Sequence, residues 1–411
     1  MDQCRAGHTR NGGSPDLFRP NLRSEPSTVP SHFEETLNKT RMSTSALPSV
    51  RDFYKDKRVA ITGHTGFKGS WLALWLTKLG AKCHGFSLPP PTDPSLFQIV
   101  ESAAVQSSTI GDIRDRSSLR EFLSKTRPEI VFHLAAQALV RQSYSEPIET
   151  LTTNCLGTAY LLEEIRNLRL KCTVVIVTTD KCYENRGWDF GYRENDPMGG
   201  ADVYSASKAA CELIVSSWWK SFFYPDSDLG SISTARAGNV IGGGDYAKDR
   251  IIPDLVRAKV SQSVLEIRNP AATRPWQHVL DCLGGYLALG VYTANQPKQP
   301  SLISFNFGPG AGGNLPVSEL VQKFRQHWDC PYEFRIQKTN AKEAERLNLS
   351  IEKAFETLRW KPVWTLEAAV EYTAIWYRTR HEVADSKMVD FSMEQIQDFE
   401  SAALESRAAW L

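Results

Sequence analysis

The residues best equipped for chemistry lie near the middle of the chain. Tyr204-Ser205-Ala206-Ser207-Lys208 sets a phenol and an ammonium four positions apart. On a helix that spacing puts both on one face. A nearby cation favours the phenolate and lowers a tyrosine's pKa toward working pH. The pair then suits a general acid/base acting on a carbinol proton. Taken alone, the spacing also describes many exposed, idle pairs. It gains meaning from Thr178-Thr179-Asp180-Lys181, which closes an apolar, β-branched run that starts at residue 173. Side chains at the carboxyl end of a parallel strand face bound ligands. Asp180 beside Lys181 reads equally well as a surface ion pair in a turn and as an acid and a base on a cleft rim.

A second group stands at the front. The run Arg58-Val59-Ala60-Ile61-Thr62 enters Gly63-His64-Thr65-Gly66-Phe67-Lys68-Gly69-Ser70-Trp71-Leu72. The apolar spacing that follows predicts a helix from Ser70 to Leu79, stopped by Gly80. Glycines between a strand and a helix let the backbone approach a pyrophosphate, and the free N–H groups of the helix favour its charge. The spacing is G-x-x-G-x-x-G rather than G-x-G-x-x-G, and the alternative is a tight strand-to-helix turn without a ligand. A carboxylate at the end of the second strand would hold an adenosine ribose. That position is Ser87, so the rule chooses neither NAD nor NADP. Lys68 would tolerate a further phosphate or be simply solvated. Asp112 and Ile113 lie where an adenine would sit, or form a surface turn.

The elements that must position these groups alternate along the chain. Strand patterns at 58–62, 82–87, 130–136, 173–178 and 231–236 alternate with helix patterns at 70–79, around 119–123, at 154–168 and at 203–220. Ser118 and Glu121 have capping-box spacing. Repeated βαβ units predict an α/β fold, a doubly wound parallel sheet of Rossmann type with a smaller C-terminal mixed α/β substrate lobe. Ligands then belong just after residues 62, 87, 112, 136, 178 and 236. The expected division is a disordered extension over 1–50 and a dinucleotide-binding domain over 51–237, to which some later segments return. A substrate-binding lobe follows over 238–380, with helix signals near 280–293, 316–328, 350–358 and 366–380, and a helical tail ends the chain over 381–411.

A net charge of +1 gives no electrostatic footprint for nucleic acid or an anionic membrane. No apolar stretch is long enough to span a bilayer. Eight scattered cysteines without a C-x-x-C pair read as reduced thiols of a cytoplasmic protein, with neither a disulfide framework nor a metal site.

Further segments carry a resemblance. They are Pro94-Ser95-Leu96-Phe97, His133-Leu134-Ala135-Ala136-Gln137 with Val140-Arg141, and Asp180-Lys181-Cys182-Tyr183-Glu184-Asn185. Others are Gly191-Tyr192-Arg193-Glu194-Asn195-Asp196-Pro197-Met198-Gly199-Gly200, Ala235-Arg236-Ala237-Gly238-Asn239-Val240-Ile241-Gly242-Gly243-Gly244-Asp245 and Arg274-Pro275-Trp276-Gln277-His278-Val279. With the glycine stretch they carry a resemblance that covers roughly residues 55 to 380. The chain resembles the extended short-chain dehydrogenases/reductases, and within them the nucleotide-sugar 4,6-dehydratases that act on CDP-glucose. Lys181 discriminates, because related dTDP-glucose enzymes usually carry Glu there.

The resemblance implies NAD as cofactor, CDP-glucose as substrate and a homodimer paired through two helices per subunit; Val215, Trp218 and Trp219 would supply an apolar face for it, or equally well pack in the core. It implies Thr179, Asp180, Lys181, Tyr204 and Lys208 as catalytic residues. Gly63, Gly66, Phe67, Gly69, Asp112, Ile113, Ala135, Ala136, Gln137 and Asn154 match cofactor contacts. Arg236, Asn239, Arg250, Arg268, Asn269 and Arg274 match positions near the substrate's nucleotide and diphosphate.

Overall fold

The structure is a computed structural model and describes residues 47–267, 269–310, 313–334 and 347–411. Most of the expected extension, and Arg268, lie outside the described residues. The first described element is a short helix, α1 (Val50–Tyr54), whose Val50 and Tyr54 are fully buried.

Seven strands form one parallel sheet: β1 (Arg58–Thr62), β2 (Lys82–Ser87), β3 (Ser107–Ile110), β4 (Ile130–His133), β5 (Thr173–Val177), β6 (Ile232–Ala237) and β7 (Ile303–Phe307). Their order is β3-β2-β1-β4-β5-β6-β7. The chain order reverses between β1 and β4, and ligands of such sheets bind in that crevice. β4, β5 and β6 are buried along their whole length, which is why they read as unbroken apolar runs. The run expected to 136 stops pairing at His133, and the chain then turns away. Two strands escaped the pattern. β3 is the polar edge strand Ser-Ser-Thr-Ile, and β7 returns to the sheet after the lobe segments have begun.

The helices α2 (Phe67–Lys78), α3 (Leu96–Ala104), α4 (Arg116–Thr126), α5 (Val140–Ser145), α6 (Pro147–Leu151), α7 (Gly157–Asn167) and α8 (Val203–Trp218) cover the sheet with later elements. α2 starts three residues earlier than its apolar pattern, capped by the backbone of Gly66. The Ser118/Glu121 capping box does not form. Asp115 caps α4 instead, accepting from the backbone of Ser117 and Ser118, while Glu121 pairs with Lys125 one turn on. The helix expected from 154 is preceded by α5, α6 and a π-helical turn over Thr152–Leu156.

After β6 come α9 (Ile251–Val260), α10 (Val279–Asn295), α11 (Val317–His327), α12 (Glu352–Leu358), α13 (Leu366–Glu382) and α14 (Asp385–Glu405), with three small two-stranded pairs. α14 closes onto α2: buried Glu400 accepts from Trp75 Nε1 at 2.9 Å and Lys78 Nζ at 2.7 Å. Residues 47–411 cluster as one compact unit. Among the described residues no helix is long and apolar enough to cross a membrane, and the seven described cysteines are free thiols.

Candidate active site

The glycine turn fits its place for steric reasons. Gly63 leaves β1 at a φ of +79°, a conformation that disfavours side chains, and a Cβ there would lie 2.7 Å from Ala135 N, just past β4. Gly69 is inside the first turn of α2, where a Cβ would lie 2.1 Å from the carbonyl oxygen of Gly63. The helix therefore sits directly against the loop. Among the described residues no side chain caps α2, so its first N–H groups can serve an anion. This arrangement fits a dinucleotide diphosphate at the crevice between β1 and β4.

Other residues matched to cofactor contacts have clear protein roles. Asn154, on the π-helical turn, accepts from Gln137 N at 2.8 Å and donates to Gln137 O at 3.1 Å and Ser207 Oγ at 2.8 Å. Gln137 spends its own amide on Leu139 and Thr150. These two side chains tie the exit of β4 to α8 and have their polar groups occupied. Ile113 is buried in the core against Gly157. Asp112 holds Arg114 in a fork at 2.6–3.0 Å, and the Arg114 hydrogen bonds hold its carboxyl below the usual range. Phe67 packs toward Gly242, and Ala135 and Ala136 are half-buried where β4 ends. Lys68 is no solvated lysine: its Nζ reaches Tyr286 Oη of α10 at 3.2 Å.

At the end of β5, Thr179 starts a single 3₁₀ turn over Asp180–Cys182 and accepts from Lys181 N at 3.3 Å. Its hydroxyl donates to Asp180 Oδ1 at 3.0 Å. Lys181 Nζ stands 3.6 Å from the same oxygen, with its side chain 29% exposed against 1% for Asp180. Asp180 Oδ2 is buried with no hydrogen-bond partner among the described residues, and a Cβ on Gly238 would approach it to 3.0 Å.

The helix α8 brings Tyr204 and Lys208 to this turn. Asp202 caps it, accepting from Ser205 N at 2.9 Å. The Tyr204 phenol lies beside Thr179 and in the field of Asp180 and Arg250. Burial dominates and pushes Tyr204 up to about 12, opposite to the direction that the Tyr/Lys spacing suggested. The Lys208 ammonium donates to Val177 O at 3.2 Å. Burial is also the largest influence on Lys208 and lowers its pKa.

The expected substrate residues separate. Arg250 joins the site: it pairs with Asp245 at 2.8 Å and its charge reaches Tyr204. Asn239 follows β6 with a buried Oδ1 that has no hydrogen-bond partner among the described residues. Arg274 donates to Thr273 O within a small β-pair, and Asn269 is exposed. Arg236 points elsewhere. Its guanidinium is buried and donates to Glu212, Tyr183 and the backbone of Glu194. It is part of the protein's interior, because Glu212 on the buried face of α8 captures it. Glu212 and Tyr286 were missed. The signal for Glu212 is its spacing, four residues past Lys208 and eight past Tyr204.

The match to known proteins agrees with this geometry. The family model for GDP-mannose 4,6 dehydratase matches residues 60–373. A CDP-glucose 4,6-dehydratase of Salmonella typhimurium is 44% identical over 86% of this chain and 98% of its own. A solved dTDP-glucose 4,6-dehydratase of Bacillus anthracis, in complex with NAD, superposes with a TM-score of 0.65 at 21% identity, covering 79% of this chain and 97% of that one. A UDP-glucose-4-epimerase of Stenotrophomonas maltophila with bound NAD superposes with a TM-score of 0.69 at 20% identity, covering 80% and 100%. These two establish the fold. With a family model spanning most of it and a relative at 44% identity, the chain belongs to the nucleotide-sugar 4,6-dehydratase family of extended short-chain dehydrogenases/reductases.

Proposed function

We propose that the protein is a hydro-lyase that converts CDP-glucose to CDP-4-keto-6-deoxyglucose with NAD held throughout. The observation that carries this reading is the meeting of Thr179-Asp180-Lys181 with Tyr204 and Lys208 at the end of β5, in a chain 44% identical to a CDP-glucose 4,6-dehydratase. NAD, when bound, would supply a reversible hydride acceptor for an oxidation at C4 and a reduction at C6. Gly63, Gly66, Gly69 and the open N-terminus of α2 would hold its diphosphate, with Phe67, Asp112, Ile113 and the β4 exit around it.

Tyr204 takes the proton of the sugar 4-hydroxyl, and the Thr179 hydroxyl steadies the same oxygen. The resulting 4-keto group acidifies the C5 proton. Asp180 and Lys181, 3.6 Å apart, form the couple that removes that proton and delivers one to the departing 6-oxygen, so that water leaves across C5 and C6, and the same couple returns a proton to C5 when C6 is reduced. An epimerase needs the Tyr/Lys pair alone, and the added acid/base couple supports elimination. Lys208 orders the backbone at Val177, two residues before Thr179 of the catalytic turn. Arg250, with Asn239 and Arg274, is assigned to the nucleotide diphosphate, as bidentate arginine geometry suits phosphate.

We read the protein as cytoplasmic and homodimeric. Val215 and Trp219 are fully buried in the core. The support for an intersubunit face comes instead from Tyr144, Ile148 and Leu213, which are apolar side chains 59%, 69% and 63% exposed on α5, α6 and α8. Sedimentation should give twice the 46.1 kDa chain mass. A panel of CDP-, dTDP-, UDP- and GDP-glucose tests the substrate. Turnover should favour the CDP-sugar, and equal turnover of several bases would overturn that assignment.

A further inference from the structure

We propose that Glu212 and Arg236 are positioning residues that brace both ends of the catalytic turn. The inference rests on the dehydratase reading for what the turn does, but its geometry is independent of that reading. Tyr204, Lys208 and Glu212 follow one another at four-residue intervals on α8, so they share its sheet-facing side. Glu212 Oε1 accepts from Thr178 Oγ1 at 2.5 Å. Thr178 directly precedes Thr179. Glu212 Oε2 accepts from Arg236 Nη2 at 2.9 Å and from Thr234 Oγ1 at 2.8 Å. Arg236 Nη1 then donates to Tyr183 Oη at 2.8 Å, and Tyr183 directly follows the Asp180–Cys182 turn. Tyr183 Oη donates in turn to Asn306 Oδ1 of β7 at 2.7 Å.

The segment carrying Thr179, Asp180 and Lys181 is therefore held at its front through Thr178 and at its back through Tyr183, and both holds converge on one ion pair. That pair is out of solvent, with side chains 3% and 4% exposed. A buried pair that has lost one member leaves an uncompensated charge, so the brace acts as a unit. Burial works to raise the Glu212 carboxyl, but Arg236 and the hydrogen bonds from Arg236, Thr178 and Thr234 outweigh it and hold the group ionised. The same charge fixes α8 relative to β5 and β6, and with it the distance from Tyr204 to the turn. A brace of this kind acts on the reacting geometry and not on the nucleotide, so it should move kcat and spare KM.

The experiment compares the whole protein with its Glu212→Gln, Thr178→Val and Thr178→Ser variants. Thr178→Val removes the hydroxyl at constant shape and leaves the ion pair in place, so it carries the test if Glu212→Gln fails to fold. Thr178→Ser keeps the donor. Steady-state turnover of CDP-glucose and hydrogen exchange of the 179–183 amides are both read. Misplacement of a catalytic group by about 1 Å costs on the order of 10²-fold. Glu212→Gln and Thr178→Val should lose roughly 10- to 100-fold in kcat with KM nearly unchanged. Their 179–183 amides should exchange faster, while those of β4 stay protected. Thr178→Ser should restore both kcat and protection. Parental kcat and exchange in Thr178→Val, or a loss confined to KM, would overturn the brace. If the parent itself does not turn over CDP-glucose, the functional reading fails, and the exchange comparison still decides the brace.

Discussion

Replacing Gly69 with alanine should weaken NAD binding, and the structure sets the scale. A Cβ at this position would lie 2.1 Å from the Gly63 carbonyl oxygen and 2.8 Å from Gly63 C and His64 Cα. All three neighbours are backbone, so no side chain can rotate away. Ordinary contact needs more than 3 Å, and the loop must retreat from the helix by about 1 Å. Overpacking of that kind costs about 1–3 kcal/mol, and the unyielding backbone argues for the upper end. Alanine recovers about 1 kcal/mol of helix propensity over glycine. The net is about 2 kcal/mol. If the empty loop relaxes, binding must push it back, and the affinity for NAD falls by roughly 30-fold. Equilibrium fluorescence titration with NAD measures this, and thermal unfolding reports the part that does not relax. Gly66→Ala is the control for stability: its Cβ would meet Gly63 O at 3.4 Å, an ordinary contact, and its φ is negative. Its Tm should stay near parental. A Gly69→Ala protein with parental NAD affinity and parental Tm would refute the steric reasoning.

Tyr204→Phe should cut turnover by roughly 10²- to 10⁴-fold, the usual worth of a general acid/base, with NAD affinity unchanged by titration. Because burial holds the Tyr204 phenol up at about 12 in the free protein, kcat/KM should rise with pH across the neutral and mildly alkaline range. A flat profile would mean that another group takes the proton. Asp180→Asn should lower kcat by a similar factor and leave KM for CDP-glucose nearly unchanged. Asp281, buried in α10 with no partner for Oδ2 among the described residues, is pushed up to about 7 chiefly by burial. A raised folded pKa means that this group's stabilising contribution is complete below pH 4 and lost as pH rises toward 7. The stability advantage of Asp281→Asn over the parent should therefore grow across that window and then level off, as read by denaturant titration at several pH values.

The sheet was legible because its central strands are buried on both faces and punctuated by glycine and helix patterns. The edge strand β3 was not, since Ser107–Ile110 is exposed and carries no apolar run. Strand β7 follows a long separation that no local periodicity spans. The catalytic pairings were legible where they rest on short spacing: Thr179-Asp180-Lys181 forms one turn and Tyr204-x-x-x-Lys208 one helix face. What each side chain faces was not legible. Lys208 turns to Val177 O, Lys68 to Tyr286, and Arg236 to Glu212. Each choice depends on a partner brought in from a distant element. The direction of the Tyr204 pKa shift was misjudged for the same reason, because spacing shows the nearby cation and hides the burial that outweighs it.

The central claim is an internal hydride transfer followed by loss of water, carried out by one set of side chains at the end of β5. Supplying CDP-glucose deuterated at C4, and locating the label in the product by NMR, tests it most directly. The deuterium should appear at C6 of a 4-keto-6-deoxy sugar, with no net reduced nicotinamide. A label that stays at C4, or that leaves in free reduced nicotinamide, would contradict the account.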